Sequence, residues 1–437
     1  MKLPRPFDTE FNAKVPSELI RPEDWSRRAA TLVSAVLIAL VAMGFAWAGD
    51  WANRLFTEVT NHSRWVHLVL TPAMFVGIAA LTFRYAPQAR GSGIPQVIAA
   101  SRKPLRRTSR RLVSLRTALA KVVLTLGALL AGGSVGREGP TVQLGAAIMV
   151  QVHRFFRVPS TSGVYIAGGA AGVAAAFNTP LAGIAFAIEE LAVAYEQRVA
   201  ILVMGAVMIS GLTSQGLAGN YVYFGQITGG LPLTSVLIAA PVAGVIGGML
   251  GGAFSRSLLA LRGPGGRFTA RFGKKPLTTA LVCGVIVGVL GFVTDGVTSG
   301  TGYEPTRMLL EGGAGEYWFG PAKFIAALAT SASGIPGGIF APSLAVGAGF
   351  GELLTPLFPA DKAGIIVLIG MGGYFTGVVR APLTAVIILS EATGTSSAIL
   401  PLFATALIGD WAGGMVCRER LYHALAKGFA PVSAPAR

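Results

Sequence analysis

Gly136-Arg137-Glu138-Gly139-Pro140-Thr141, running on into Val142-Gln143-Leu144-Gly145, lies within the long apolar neighbourhood 117–150. A charge at membrane depth is expensive, so a segment that keeps two of them marks a working site. The flanking glycines let the backbone bend and expose its N–H groups. Pro140 and Thr141 suit the first turn of a helix, where a missing N–H costs nothing. The stretch therefore predicts a helix N-terminus inside the bilayer, with free donors and the positive dipole end, which together make an anion site. Glu138 falls where that anion would bind. A carboxylate able to occupy or leave an anion site is a gate that also titrates.

The rest of the composition agrees with a membrane setting. Of 437 residues, 52% are hydrophobic and 13% charged, and mean hydropathy is +0.62. This predicts an all-α polytopic membrane protein and excludes a set of soluble domains. The 58 glycines favour close helix packing and broken helices. Net charge is +16, but the basic residues lie in connecting segments. They read as positive-inside loops attracted to anionic membrane lipid, and no nucleic-acid partner is expected. Cys283 and Cys417 sit in or beside apolar runs without disulfide or metal spacing. The four histidines, His62, His67, His153 and His423, lie scattered outside the motifs. With no nucleophilic triad or metal constellation, neither an enzyme nor a cofactor or metal is expected.

Taken in order, residues 1–29 read as a polar, basic arm with Lys2, Arg5, Lys14, Arg21, Arg27 and Arg28 and a short amphipathic piece; with so polar a start, no cleavable signal peptide is expected. Residues 30–49 and 66–83 are two crossings, with Trp47, Trp51 and Trp65 at the far interface. They return to a basic loop holding Arg102, Lys103, Arg106, Arg107, Arg110, Arg111 and Arg116. A second basic loop carries Arg262, Arg267, Arg271, Lys274 and Lys275, and the tail carries Arg418, Arg420, Lys427 and Arg437. The arm, both loops and the tail are thereby assigned to the cytoplasm. The expected divisions are the arm 1–29, a transmembrane unit 30–218, an external connection 219–231, a second unit 232–417 and a short cytoplasmic segment 418–437. Residues 295–317 read as an irregular outer loop or short helices.

Two further motifs allow more than one reading. Gly91-Ser92-Gly93-Ile94-Pro95 breaks the backbone. It is either an ordinary turn or a place where the Ser92 hydroxyl and nearby N–H groups donate to an anion. Ile188-Glu189-Glu190-Leu191 ends an apolar segment. It is either a solvated helix end or the site of a proton acceptor facing the cytoplasm.

The two halves repeat. Gly136, Pro140 and Gly145 match Gly338, Pro342 and Gly347, while Pro180, Gly168 and Glu189 match Pro382, Gly370 and Glu391, every pair 202 residues apart (342 − 140, 382 − 180). With the join outside and both ends inside, each half crosses an odd number of times. The halves then have opposite orientation, an inverted repeat whose broken helices meet near the bilayer midplane. The counterpart of the first break, Gly337-Gly338-Ile339-Phe340-Ala341-Pro342, is uncharged and offers only backbone N–H groups.

These residues resemble the CLC family of chloride channels and chloride/proton antiporters. Gly91-Ser92-Gly93-Ile94-Pro95, Gly136-Arg137-Glu138-Gly139-Pro140 and Gly338-Ile339-Phe340-Ala341-Pro342 occur in the family's order, and the likeness spans roughly residues 30–425. The resemblance implies a homodimer with one anion pathway per subunit. It implies that Ser92 coordinates the central anion through its hydroxyl, that Ile339 and Phe340 donate N–H groups, and that Tyr422 of the inner gate reaches it through its OH. Glu138 becomes the external gate, competing with chloride and taking up protons. The match through Asn178, Pro180, Gly183 and Ile188 puts Glu190 at the inner proton-transfer position and leaves Glu189 structural.

Glu190 resembles the proton-coupled members, whose channel relatives carry an apolar residue there, so the expectation is chloride/proton antiport. A passive channel for chloride, fluoride or nitrate on the same scaffold is the alternative. An organic-anion transporter or receptor with an unrelated inverted repeat is a third reading. Nitrate-preferring relatives usually carry proline at the Ser92 position and the fluoride-exporting branch another residue, so serine points to chloride. Gln96 departs from the acidic residue of many chloride members. The short C-terminal segment argues against the nucleotide-binding modules of many eukaryotic members and points to a prokaryotic inner membrane.

Overall fold

The computed structural model describes residues 22–192, 197–219, 222–225, 227, 231–269, 275–395 and 397–429. Lys2, Arg5, Lys14 and Arg21 of the arm, Arg271 and Lys274 of the second basic loop, Arg437, and parts of 219–231 lie outside the described residues.

Helices make up the described chain, with no strand beyond two isolated bridges. In the first half they are α1 (Pro22–His62), α2 (Val66–Tyr85), α3 (Ile94–Arg102), α4 (Arg107–Leu112), α5 (Leu115–Leu130), α6 (Glu138–Phe155), α7 (Ser162–Phe177), α8 (Pro180–Phe186) and α9 (Gln197–Ala218). In the second half they are α10 (Leu233–Arg262), α11 (Pro276–Val293), α12 (Tyr303–Leu310), α13 (Phe319–Ser333), α14 (Phe340–Glu352), α15 (Ala363–Val379), α16 (Pro382–Thr393) and α17 (Ile399–Val416); α18 (Leu421–Lys427) closes the described chain. Among the described residues, eight helical stretches are long and apolar enough to cross a membrane. Their outward faces are apolar: α11 exposes Leu277, Leu281, Val282, Val285 and Val289. In water such a stripe would need a partner; in a bilayer lipid covers it.

One element differs from expectation. The arm is expected over 1–29 and the first crossing from 30, yet α1 is already helical at Pro22, the first described residue, and runs unbroken through 41 residues to His62. The arginines in its first described turns are good helix formers. Hydropathy marks only the part of a helix that lipid covers, not where the helix stops. At a rise of about 1.5 Å per residue, α1 is roughly 60 Å long, twice the hydrocarbon thickness, so it tilts or projects beyond it.

The 202-residue offset extends to whole elements. α6 and α14 start at Glu138 and Phe340, and α8 and α16 at Pro180 and Pro382. Asn178 and Arg380, also equivalent, both adopt the left-handed conformation that breaks the chain before those prolines. The halves meet across an antiparallel bridge: Gly136 N–H donates to Gly338 O at 2.8 Å, and Gly338 N–H donates to Gly136 O at 2.7 Å. Equivalent segments running in opposite directions are what an inverted repeat produces. Gly168 and Gly370 serve the same packing in each half. A Cβ on Gly168 would stand 2.7 Å from Gly145 O, and one on Gly370 would stand 3.1 Å from Gly347 O. Only glycine lets α6 approach α7, and α14 approach α15, this closely.

Candidate functional site at the meeting of three broken helices

The three glycine-rich breaks converge on one point. Gly337 N–H donates to Gly91 O at 3.2 Å, and the Gly136–Gly338 pair locks the other two breaks together. A Cβ on Gly139 would lie 2.8 Å from Ser92 O and 3.3 Å from Gly338 Cα, so the backbones touch because no side chain intervenes. α3, α6 and α14 therefore begin around a common centre.

Glu138 opens α6 and is 1% exposed. Its carboxylate lies near its own N–H and that of Ala341, and neither oxygen has a well-formed hydrogen bond. The first N–H groups of a helix have no partner within it. Among the described residues no backbone carbonyl accepts from Ile339, Phe340 or Ala341 at the start of α14. The acid thus sits in a cup of backbone donors at a positive helix end, where an anion would be held. The Phe340 ring packs against Phe375, Phe177 and Phe186 at 4.4, 5.4 and 6.1 Å between centroids. That apolar cluster fixes the α14 N-terminus while keeping water scarce. Arg137 is held on α1 by Ala46 O at 2.5 Å and Asp50 Oδ1 at 2.7 Å.

Ser92 and Tyr422 complete the centre. Ser92 is 5% exposed and Tyr422 fully buried, their hydroxyls face each other, and neither is engaged in a well-formed hydrogen bond. The six residues singled out from sequence are therefore all buried, and five of them, Ser92, Glu138, Ile339, Phe340 and Tyr422, surround or face one centre.

Glu190 stands apart from that centre, in the π-helical turn Ala187–Leu191 that continues α8. It is fully buried, with both carboxylate oxygens lacking a hydrogen bond. Glu189 points elsewhere: it accepts from the N–H groups of Leu383 at 3.2 Å and Thr384 at 2.8 Å, capping α16. Its equivalent, Glu391, accepts from Leu181 at 3.1 Å and Ala182 at 2.8 Å, capping α8. The extra residue of a π turn rotates neighbouring side chains apart, which separates Glu189 in the cap from Glu190 in the interior.

Two kinds of residue escaped the sequence reading. His423 was grouped with scattered histidines, yet its Nε2 lies 3.7 Å from Glu190 Oε1 and 3.1 Å from Glu190 O. Arg102 Nη2 lies 2.8 Å from His423 Nδ1. A guanidinium can only donate, so Nδ1 accepts and the neutral ring carries its proton on Nε2, towards Glu190. Burial, then Arg102 and Arg420, hold this imidazole below its ordinary value. The signal was simply adjacency to Tyr422. Lys121 and Lys323, again 202 apart, are both fully buried. Lys121 Nζ donates to Gly91 O at 2.8 Å, and Lys323 Nζ to Thr298 O and Gly300 O at 2.8 and 2.9 Å. A lysine inside an apolar helix was the available clue.

Open space lies on either side of the centre. A cavity of about 760 Å³ is lined by Asp50, Arg54, Arg137, Tyr223 and Tyr303. Another, of about 320 Å³, is lined by Ser92, Gln96, Val135, Gly337 and Ile339. Gln96 braces the turn before Ser92, donating to Gln88 O at 3.1 Å and Arg90 O at 2.7 Å.

This arrangement can be set beside known proteins. The family model described as voltage gated chloride channel matches residues 73–414, most of the chain. The chain belongs to the CLC family. Among solved CLC structures, it superposes on a slow cyanobacterial chloride/proton antiporter with a TM-score of 0.77 at 23% identity, covering 92% of this chain and 97% of that one. A CLC-type fluoride/proton antiporter gives 0.77 at 22% identity, covering 93% and 99%. A eukaryotic CLC transporter gives 0.74 at 21% identity, covering 92% and 74%.

Proposed function

We propose that this CLC protein is a secondary active transporter that exchanges chloride for protons, with Glu138 as the gate. The observation that carries the proposal is the position of the Glu138 carboxylate, in a cup of unspent N–H donors between the starts of α6 and α14. An anion and a carboxylate have the same claim on those donors. When Glu138 leaves, chloride takes its place beside Ile339 and Phe340, with Ser92 and Tyr422 closing the opposite side. A carboxylate displaced by an anion takes up a proton more readily, so anion and proton are handled alternately.

Glu190 supplies the second step. A buried carboxylate in reach of His423, whose edge is partly exposed, receives a proton at the basic end and passes it towards Glu138, through water. Positive-inside reasoning puts that end in the cytoplasm, with the arm, the basic loops and the tail. Units 30–218 and 232–417 are the two repeats, joined externally by 219–231. The protein works as a homodimer with one pathway per subunit, in a prokaryotic inner membrane. Ser92 supports chloride over nitrate or fluoride. A passive channel on this scaffold would need no second buried acid, and Glu190 speaks against it.

The test is flux in reconstituted liposomes. An outward chloride gradient under a valinomycin clamp is expected to drive protons inward, against their own gradient. Chloride movement with flat pH would leave a channel, and no chloride movement would reject anion transport.

A further inference from the structure

A cavity of about 770 Å³ lies between the first turns of α1, the ends of α3 and α6, and the starts of α7 and α9. No residue of the anion centre lines it. α7, 16 residues long, opens onto it with Ser162, Gly163 and Val164. Thr161 stands at the N-cap without a side-chain hydrogen bond, and among the described residues no backbone carbonyl accepts from Ser162 or Gly163. Ser162 Oγ instead donates to Ser101 O at 2.6 Å, which ties the end of α3 to the start of α7. Arg27 lines the same space, and among the described residues it has no ion-pair partner. Unspent helix N–H groups and a guanidinium together favour an anionic oxygen.

His153, near the end of α6, adds a second and opposite demand. It is fully buried and lines the cavity. Its Nδ1 lies 2.9 Å from Met149 O. A carbonyl only accepts, so Nδ1 carries the proton and Nε2 of the neutral ring is left as an acceptor. Nε2 has no hydrogen-bond partner in the protein, and a buried acceptor without a donor is costly. A halide meets the first demand and not the second. A phosphoryl group with a hydrogen-bond donor of its own meets both. Its anionic oxygens suit Arg27 and the α7 N–H groups, and its donor suits His153. That donor is the P–OH of a phosphate or phosphomonoester, or the ammonium or hydroxyl of a phospholipid headgroup. Val158, Val199 and Leu202 supply apolar wall to the same cavity.

We infer that Arg27, the start of α7 and His153 form a binding site for a phosphoryl group that carries its own hydrogen-bond donor. The site is separate from the exchange route and does not depend on which ion the protein moves. Arg27 and the N–H groups of Ser162 and Gly163 hold the charge, and His153 Nε2 reads the donor.

Calorimetric titration of the purified full-length protein at neutral pH and fixed chloride, with sodium phosphate and with sodium sulfate, tests the site. Both are oxyanions, but only phosphate keeps an O–H under these conditions. Phosphate is expected to bind, and sulfate to bind at least about threefold more weakly. Arg27→Gln is expected to weaken phosphate by about three- to tenfold while its lead over sulfate survives. His153→Phe is expected to erase that lead. The source of the phosphoryl group is read by native mass spectrometry after incubation with phosphatidylethanolamine or phosphatidylcholine, of which only the first has N–H donors. Preferential retention of phosphatidylethanolamine identifies a lipid headgroup; phosphate binding without that preference identifies a soluble phosphate compound. Should His153→Phe not fold, Arg27→Gln and the two ligand pairs still carry the test. A wild type that prefers neither phosphate to sulfate nor phosphatidylethanolamine to phosphatidylcholine overturns the site. So does a folded Arg27→Gln with wild-type affinity, or a folded His153→Phe that keeps the preference.

Discussion

Glu138, Glu189 and Glu190 are the same kind of side chain in three settings, and the setting assigns the work. Glu189 spends its oxygens on two helix N–H groups and a threonine hydroxyl. Glu138 and Glu190 are buried with their oxygens unengaged. Buried acids without partners are costly to keep ionised, which suits groups that must take and release protons. Glu138→Gln mimics the protonated acid; on the proposed exchange, chloride flux in the valinomycin-clamped liposome assay is expected to persist while proton movement falls to the background of empty vesicles. Glu190→Val leaves the anion centre intact; chloride moves, and the proton-to-chloride ratio drops towards zero. Retained uphill proton movement in either variant removes that residue from the path. Ser92→Pro takes away the hydroxyl that faces the centre; anion competition then shifts preference from chloride towards nitrate, and an unchanged order would detach selectivity from Ser92.

Helix ends are where the two halves of the chain hold each other. Each half lends a glutamate to cap a broken helix of the other: Glu189 caps α16 and Glu391 caps α8. Removing either acid leaves two N–H groups without acceptors, a loss of about 1–3 kcal/mol. Glu189→Ala and Glu391→Ala should therefore lower the thermal unfolding midpoint in detergent by similar amounts. Glu189→Ala should do so while keeping proton coupling, which separates it from Glu190; a coupling loss in a stably folded Glu189→Ala would contradict the division. The repeat offset was legible in sequence because Pro140, Pro180 and their equivalents are breaks that any fold must accommodate. The exchange of caps was not, because a 202-residue spacing says which residues correspond and not which ones touch. His423 was illegible for a related reason: 233 residues separate it from Glu190, and nothing in the sequence reports that α18 folds back onto the π turn. The length of α1 was missed because its charged first turns are compatible with helix and carry no hydropathy signal.

Across the whole molecule, the same few breaks do three jobs. They end helices in the interior, bring the two repeats together at Gly136 and Gly338, and leave unspent N–H donors facing one buried acid. The surrounding glycine contacts make this possible by letting backbones approach where side chains would hold them apart. Cavities lie on either side of that centre. The central claim is that Glu138 and a halide compete for one place. The most direct measurement is anomalous diffraction from crystals of wild type and Glu138→Gln grown in bromide. The account predicts a bromide peak in Glu138→Gln between the starts of α6 and α14, beside the N–H groups of Ile339 and Phe340, where the wild-type carboxylate lies. A Glu138→Gln map with bromide elsewhere and that place empty would contradict it.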